Sequence, residues 1–325
     1  MVKVAGVKTM LKRAGPVLDL IALPVVALTA PVLWALVKGN HRLPRSRGLV
    51  DRIGVSLIRH HYYSPFVTKA DITQPLEQER VIPSLDFNEQ GQFALMEKFH
   101  FADELRSIPM EKTAEDAYGY INDTFGPGDS ETLYNMIRHF KPARLIEIGS
   151  GQSTLMARLA IERNIKDDSN YRCRHVCIEP YEQPWLERIG VEVIREKVEA
   201  IDPAIFKELE PNDILFIDST HVIRPQGDVL YEYLYLLQII PSGCFVHIHD
   251  IFTPRDYRSD WVLEERRLWN EQYLLEAFLS FNREFEVLCG MNWLWHRHPE
   301  KLKEACPVLY HGGEREPASF WMRRL

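Results

Sequence analysis

Cysteine is scarce in this 325-residue chain, which contains five, an odd number. Disulfide-stapled secreted domains carry many paired cysteines, so this content predicts a reduced, cytoplasmic protein. Cys173 and Cys177 are spaced C-x3-C without a second cysteine pair. That spacing favours two ordinary buried thiols over a structural zinc site.

The chain also lacks an excess of positive charge. Its 39 Lys and Arg residues are outnumbered by 46 Asp and Glu residues, for a formal net charge of −7. A protein that binds nucleic acid needs a basic face to displace counterions, so a nucleic-acid partner is disfavoured. With 46% hydrophobic and 26% charged residues, the composition is that of a folded globular protein.

Charged residues are absent from 20–37, an apolar run close to membrane-spanning length. The run contains Pro24 and Pro31, and no small-residue cleavage pattern follows it. Basic residues flank it on both sides: Lys3, Lys8, Lys12, Arg13, Lys38, Arg42, Arg45 and Arg47. This pattern predicts that residues 16–40 lie on or dip into a membrane surface, which would attach a cytoplasmic protein to the inner face of the membrane. A buried helical hairpin is the alternative.

Downstream of this region, short apolar runs alternate with segments of helical periodicity. Five strands are predicted at 144–148, 175–179, 191–195, 214–218 and 244–249, and a closing pair at 285–290 and 319–322. Alternation of strands and helices implies right-handed crossovers and a parallel sheet. The predicted fold is therefore α/β, a doubly wound, mostly parallel seven-stranded sheet with an N-terminal helical extension. The predicted domains are an N-terminal segment and connector at 1–83 and a catalytic domain at 84–325.

The first strand runs into a glycine turn with the sequence Gly149-Ser150-Gly151-Gln152-Ser153-Thr154, followed by a helix. Glycines let backbone approach a ligand at the carboxyl edge of an α/β sheet. The dinucleotide fingerprint requires a third glycine where Thr154 stands, so a cofactor without a pyrophosphate is favoured. Glu179 ends the second strand, where a carboxylate can accept hydrogen bonds from ribose hydroxyls.

These features, together with Asp218 and residues 243–250, resemble the class I S-adenosylmethionine-dependent methyltransferases. The G-S-G-x-S-T variant is similar to a bacterial subgroup that acts on small molecules and glycans, and the resemblance covers about 129–325. It implies a Rossmann-like fold in which Glu147 and the glycine turn (Gly149, Ser150, Gly151 and Ser153) surround the methionine moiety. It also implies that Glu179 binds the ribose and that Glu199 lies near the adenine.

Strands four and five end in two acidic motifs, Asp218-Ser219-Thr220-His221 and His249-Asp250. As neighbouring strands lie about 4.8 Å apart, Asp218 and Asp250 are expected side by side, where they can hold a divalent metal. The D-x-x-H motif resembles metal-dependent sugar O-methyltransferases, which implies that Asp218 and Asp250 are ligands and His221 is the general base. His249 replaces a carboxylate of that family. Mg²⁺ or Mn²⁺ is expected with carboxylate ligands alone, and Fe²⁺ or Zn²⁺ if His249 joins them.

The predicted function is O-methylation of a small-molecule, sugar or glycan hydroxyl with metal assistance. Two other classes stay open: an NAD(P)-dependent oxidoreductase on a similar sheet, and a non-catalytic membrane-associated binding protein of the same fold. The missing third glycine and the pair formed by Asp218 and Asp250 weigh against the oxidoreductase. The presence of Gly149, Glu179 and His221 weighs against the non-catalytic binding protein.

Overall fold

The computed structural model describes residues 2–311 and 315–325, with the side chains of 2–13 and of residue 40 left out. The side chains of the basic residues that precede the apolar run, from Lys3 to Arg13, therefore lie outside the described part of the structure. Two compact units are present, Met1–Val67 and Thr68–Leu325. The domain boundary predicted between 83 and 84 stays a prediction.

The N-terminal unit is dominated by one helix, α1 (Val2–Gly39), followed by α2 (Pro44–Arg52). Pro24 and Pro31 lie inside α1 without ending it. Its segment Ala14–Gly39 has a mean hydropathy of 2.4, is long and apolar enough to cross a membrane, and has none of its 18-residue apolar window buried. Within the described residues this segment is thus one exposed helix, and the alternative of a buried hairpin is wrong.

The second unit is built on one seven-stranded sheet of order β3-β2-β1-β4-β5-β7-β6. Its strands are β1 (Arg144–Ile148), β2 (Arg174–Ile178), β3 (Glu192–Ile194), β4 (Ile214–Ile217), β5 (Phe245–Ile248), β6 (Phe285–Gly290) and β7 (Phe320–Arg324). The first five strands are parallel, and β7 runs antiparallel to both β5 and β6. The predicted doubly wound, mostly parallel seven-stranded fold is confirmed.

Helices cover both faces of this sheet, because the strands carry apolar side chains on both sides. In chain order the helices are α3 (Glu89–Met96), α4 (Ala102–Ser107), α5 (Asp129–Phe140), α6 (Gln152–Asp167), α7 (Ala204–Lys207), α8 (Asp228–Tyr231), α9 (Leu237–Ile239), α10 (Glu271–Ser280), α11 (Met291–Arg297) and α12 (Pro299–Ala305). A π-helical segment, Glu232–Leu236, joins α8 to α9. On one face Leu145 and Phe216 share a core with α5 and α6, and on the other Ile146 and Ile217 pack with Tyr233.

The central strands end level with one another, which aligns the residues that follow them. Backbone hydrogen bonds continue one step beyond β1, β4 and β5: Gly149 N donates to Ile178 O, Asp218 N to Ile148 O and His249 N to Ile217 O, at 2.8 to 3.0 Å. The glycine turn and both acidic motifs therefore meet at one edge of the sheet.

The start of α5 is not capped by the side chain of Asp129, its first residue. The helix is preceded by Gly128, whose φ of +83° and close approach to Pro317 exclude a side chain. Gly128 N donates to Glu131 Oε2 at 3.0 Å. Asp129 is thereby freed from capping and buried.

Candidate active site

The glycine turn is shaped first by the protein itself. Gly149 has a φ of +80°, and a Cβ there would collide with the backbone carbonyl of Asp218. A Cβ at Gly151 would meet only the Gln183 amide nitrogen, at 4.0 Å. Gly149 therefore lets β1 and β4 approach each other, while Gly151 leaves space open above the turn.

A cavity of about 240 Å³ opens beside this turn. Its lining includes Gly149, Glu179, Lys197, Glu199, Asp218, Thr220 and Arg224. Glu179 is held rigidly at its edge, since its carboxylate accepts hydrogen bonds from the backbone N–H groups of Ser150, Tyr181 and Glu182 at 3.0 to 3.3 Å. Of the residues predicted to bind the cofactor, Gly149, Glu179 and Glu199 line the cavity.

Glu147 and Ser153 occupy different places from the other predicted cofactor residues. Both are buried, and neither lines the cavity. Glu147 points under the turn, where its carboxylate accepts a hydrogen bond from Thr154 Oγ1. Thr154 Oγ1 in turn accepts one from Gly151 N at 3.0 Å. In this structure Glu147 supports the turn from below.

Asp218, His221, His249 and Asp250, here called the rim cluster, converge at the edge of the sheet. Asp218 Oδ1 lies 3.2 Å from His221 Nε2 and 3.6 Å from His249 Nδ1. Asp250 Oδ2 lies 3.7 Å from each of the same two nitrogens. Two imidazoles thus face one pair of carboxylate oxygens, and the structure brings together all four residues named from the acidic motifs.

Two further carboxylates hold the outer nitrogens of these histidines. Glu271 Oε2 lies 2.8 Å from His221 Nδ1, and Asp129 Oδ2 lies 3.4 Å from His249 Nε2. Asp129 is itself fixed, because its other oxygen accepts hydrogen bonds from the N–H groups of Ala318 and Ser319. Carboxylates placed in this way set the orientation and tautomer of a histidine.

Electrostatics at the rim cluster favour positive charge between the carboxylates. Burial would lower the pKa of His221, but hydrogen bonds to Asp218 and Glu271 outweigh it and raise the pKa to about 10. For His249, burial acts to lower the pKa, but the charges of Asp250 and Asp218 outweigh it, so the pKa is raised. For Asp218, burial acts to raise the pKa, but both histidines hold it below its usual range.

The local backbone and one unsatisfied atom also point to a bound cation. His221 and Asp250 adopt φ values of +59° and +55°, a strained region for residues with a Cβ. Asp250 Oδ1 is buried and accepts no hydrogen bond from the described residues. One donor atom from each of Asp218, His221 and Asp250 lies within 4.8 Å of the others. Oxygen and imidazole donors at this spacing fit a divalent metal.

An aromatic wall stands beside His221. The Trp269 ring lies 4.4 Å from the His221 ring, between centroids, and 5.0 Å from Trp261, with Tyr257 6.1 Å away. The Arg267 guanidinium stacks over both tryptophans. Because the Trp269 ring contacts the His221 ring, this aromatic wall adjoins the rim cluster.

His247, two residues before His249 on β5, plays no part in the rim cluster. It is fully buried, stacks on Phe216 with ring centroids 3.9 Å apart, and lies 2.8 Å from Ser319 Oγ through Nε2. Burial lowers the pKa of His247 well below its ordinary value, so it is neutral. It is a core histidine, as its position one alternation deeper on the strand predicts.

Comparison with known proteins adds a family match. Residues 146–251 match the family model described as "Methyltransferase domain". A stretch of 179 residues is 27% identical to an uncharacterized protein of Archaeoglobus fulgidus and covers 51% of this chain and 79% of that protein. The matched family segment contains the glycine turn, Glu179 and the whole rim cluster, and it supports a methyltransferase.

Proposed function

We propose that the protein is an S-adenosylmethionine-dependent O-methyltransferase that acts on a hydroxyl of a small molecule, sugar or glycan. One observation carries the proposal. Asp218 both lines the cavity beside the glycine turn and belongs to the rim cluster. A methyl donor in that cavity would therefore lie next to the groups that activate an acceptor.

The cavity fits S-adenosylmethionine better than a dinucleotide. Glu179 offers a fixed carboxylate at the end of β2, suited to ribose hydroxyls, and Gly151 leaves open space for the methionine moiety. Thr154 stands where the dinucleotide fingerprint has its third glycine. Bound there, the cofactor supplies an activated methyl group on a sulfonium.

A divalent cation fits the rim cluster. Asp218, Asp250 and His249 would hold it, with Mg²⁺ or Mn²⁺ suited to the carboxylates and Fe²⁺ or Zn²⁺ suited to participation of His249. The unpartnered Asp250 Oδ1 and the facing imidazoles support this assignment. Such an ion supplies charge stabilisation to an ionising hydroxyl.

His221 is the proposed general base, in the neutral form that a divalent cation held by Asp218 and Asp250 would favour by supplying the positive charge between the carboxylates. Glu271 holds its Nδ1, so that Nε2 faces the carboxylates, while Trp269 covers its ring. His221 Nε2 would take the proton of the acceptor hydroxyl, and S-adenosylmethionine held beside Glu179 would supply the methyl group. Glu271 stabilises the resulting imidazolium. The remaining contribution of the protein is alignment.

The surroundings of His221 support the proposed acceptor class. Trp261 and Trp269 form an apolar wall suited to the face of a sugar or another ring, and Arg258 and Arg267 lie over Trp261. We propose that α1 attaches the protein to a membrane, since the large side chains along Ala14–Gly39 are exposed and apolar. Attachment to the cytoplasmic face would suit an acceptor presented at that surface.

Calorimetric titration tests the proposal. The protein is expected to bind S-adenosylmethionine, and Glu179→Ala is expected to weaken binding by about 1 to 3 kcal/mol, because a charged acceptor of ribose hydrogen bonds is lost. Glu162→Ala, on the exposed side of α6, serves as the control. Binding of NAD without binding of S-adenosylmethionine would instead support an oxidoreductase.

A further inference from the structure

A second group of metal-ligand side chains lies beneath the glycine turn, away from the rim cluster. Glu147 on β1 and Cys177 on β2 are register partners, and His175 precedes Cys177 by two residues and so shares its face of the sheet. All three are buried, Glu147 and Cys177 completely. We call these residues the buried cluster. One donor atom from each lies within 4.8 Å of the others.

Several polar atoms of the buried cluster have no hydrogen-bond partner among the described residues. Both ring nitrogens of His175 and Glu147 Oε1 are unpartnered. His175 Nε2 lies 3.5 Å from Glu147 Oε1, a contact that is an ion pair only when the imidazole is protonated and that makes no hydrogen bond. A buried polar atom left unpaired costs about 1 to 3 kcal/mol, so His175 Nε2 and Glu147 Oε1, which face each other without a hydrogen bond, call for a partner between them.

The spacing of these atoms suits a tetrahedral ion. Ligands 2.0 to 2.3 Å from a tetrahedral zinc lie about 3.3 to 3.6 Å apart. His175 Nε2 lies 3.5 Å from Glu147 Oε1, and one donor atom from each residue, including Cys177, lies within 4.8 Å of the others. Little movement would bring one atom of each residue onto a common ion.

We propose that Glu147, His175 and Cys177 form a buried structural zinc site. A thiolate, an imidazole and a carboxylate are the donor types that Zn²⁺ takes, whereas Mg²⁺ and Ca²⁺ prefer oxygen alone. The double charge of the ion would neutralise one carboxylate and one thiolate, and a water enclosed with the ion would be its fourth ligand. The C-x3-C spacing of Cys173 and Cys177 argues against a zinc site built from cysteines alone. It does not bear on a site in which Glu147 and His175 are the other ligands.

The site would hold the base of the glycine turn. Glu147 Oε2 accepts a hydrogen bond from Thr154 Oγ1, which accepts one from Gly151 N. An ion on the other carboxylate oxygen would fix Glu147 and, through it, Gly151. Because the ligands are buried, the ion would enter as the chain folds and exchange slowly. This inference concerns metal content and does not rest on the proposed function.

Metal analysis of the full-length protein, produced with zinc supplied, tests the site. About one zinc per chain is expected to survive dialysis against EDTA under native conditions and to be released on unfolding. Cys177→Ser and His175→Ala are expected to lower the zinc content at least tenfold. Cys244→Ser, at a buried thiol beside Glu210 O and outside the cluster, is the matched control. Asp250→Asn is expected to retain the zinc, which separates this ion from one at the rim cluster.

Two results would overturn the site. One is a wild-type protein that holds no zinc after refolding with zinc present, and the other is a Cys177→Ser protein that keeps the full zinc content. If that variant does not fold, Co²⁺ substitution of the wild-type protein decides instead. The absorption spectrum of the cobalt-loaded protein is expected to show a thiolate-to-cobalt charge-transfer band. Cobalt binding without this band would contradict Cys177 as a ligand.

Discussion

The rim cluster and the buried cluster both combine histidine with carboxylate near one glycine turn, yet their polar atoms are satisfied differently. At the rim, each nitrogen of His221 and His249 faces a carboxylate, and the Asp218 side chain is 31% exposed. In the buried cluster, His175 Nε2 lies 3.5 Å from Glu147 Oε1, and His175 Nδ1 has no hydrogen-bond partner among the described residues. We therefore propose an exchangeable ion and a substrate at the rim cluster, and an ion that stays in the buried cluster.

Chelation gives the largest expected difference between the two clusters. Dialysis against EDTA should remove an ion from the partly exposed rim and lower turnover at least about 100-fold, since a metal at a reacting oxygen is worth several kcal/mol. Affinity for S-adenosylmethionine, measured by calorimetry, should be unchanged. Asp250→Asn should reproduce the loss, with the exposed Asp103→Asn as control. Full turnover of the chelated protein would contradict a metal at the rim.

His221→Ala is expected to lower kcat by about 10²- to 10⁴-fold, the usual contribution of a general base. S-adenosylmethionine affinity should change little, because His221 lies outside the cavity lining. The exposed His100→Ala is the matched control. Wild-type turnover of His221→Ala would mean that the acceptor requires no base.

Glu271→Gln is expected to have a smaller effect, about 10- to 100-fold on kcat, typical of a group that orients a histidine. The pH profile separates this role from a structural one. Glu271 is one of the groups that raise the pKa of His221, so Glu271→Gln should lower that pKa. The part of the pH–rate profile that depends on His221 should therefore shift to lower pH. Glu265→Gln, in an exposed pair with Arg267, is the control. An unchanged pH profile would contradict coupling between Glu271 and His221.

Sequence patterns predicted the parts of the molecule that depend on local order. The seven strands and the rim cluster follow from apolar periodicity and from residues placed directly after strands, since parallel strands end at one edge of the sheet. Strand bounds differed by a few residues at most: 175–179 was predicted for β2, which ends at Ile178.

The unpredicted partners come from distant parts of the chain. Asp129 meets His249 across 120 residues, and Glu271 meets His221 across 50. Asp129 begins α5, where an acidic residue is an ordinary helix-start signal, and Glu271 begins α10 within an aromatic segment. Neither has a local signal for a site, because packing of the helices against the sheet creates the contact. For the same reason the spacing of Cys177 could not reveal His175 and Glu147 together.

Removal of the N-terminal helix should have the smallest effect on both clusters. All of their residues lie in the unit Thr68–Leu325, so a chain without residues 2–40 should keep its S-adenosylmethionine affinity, its zinc content and its turnover on a soluble acceptor. Membrane fractionation should distinguish the two proteins, because the full-length protein carries an apolar helix with exposed side chains and the shortened one does not.

A double substitution, Leu23→Lys with Leu28→Lys, keeps the full chain length and should also release the protein from membranes, since each charge at a bilayer centre costs about 2.5 to 3.5 kcal/mol. Recovery of the unaltered protein in the soluble fraction without detergent would contradict membrane attachment, and lost zinc or cofactor binding in the shortened chain would contradict the independence of the two clusters from α1.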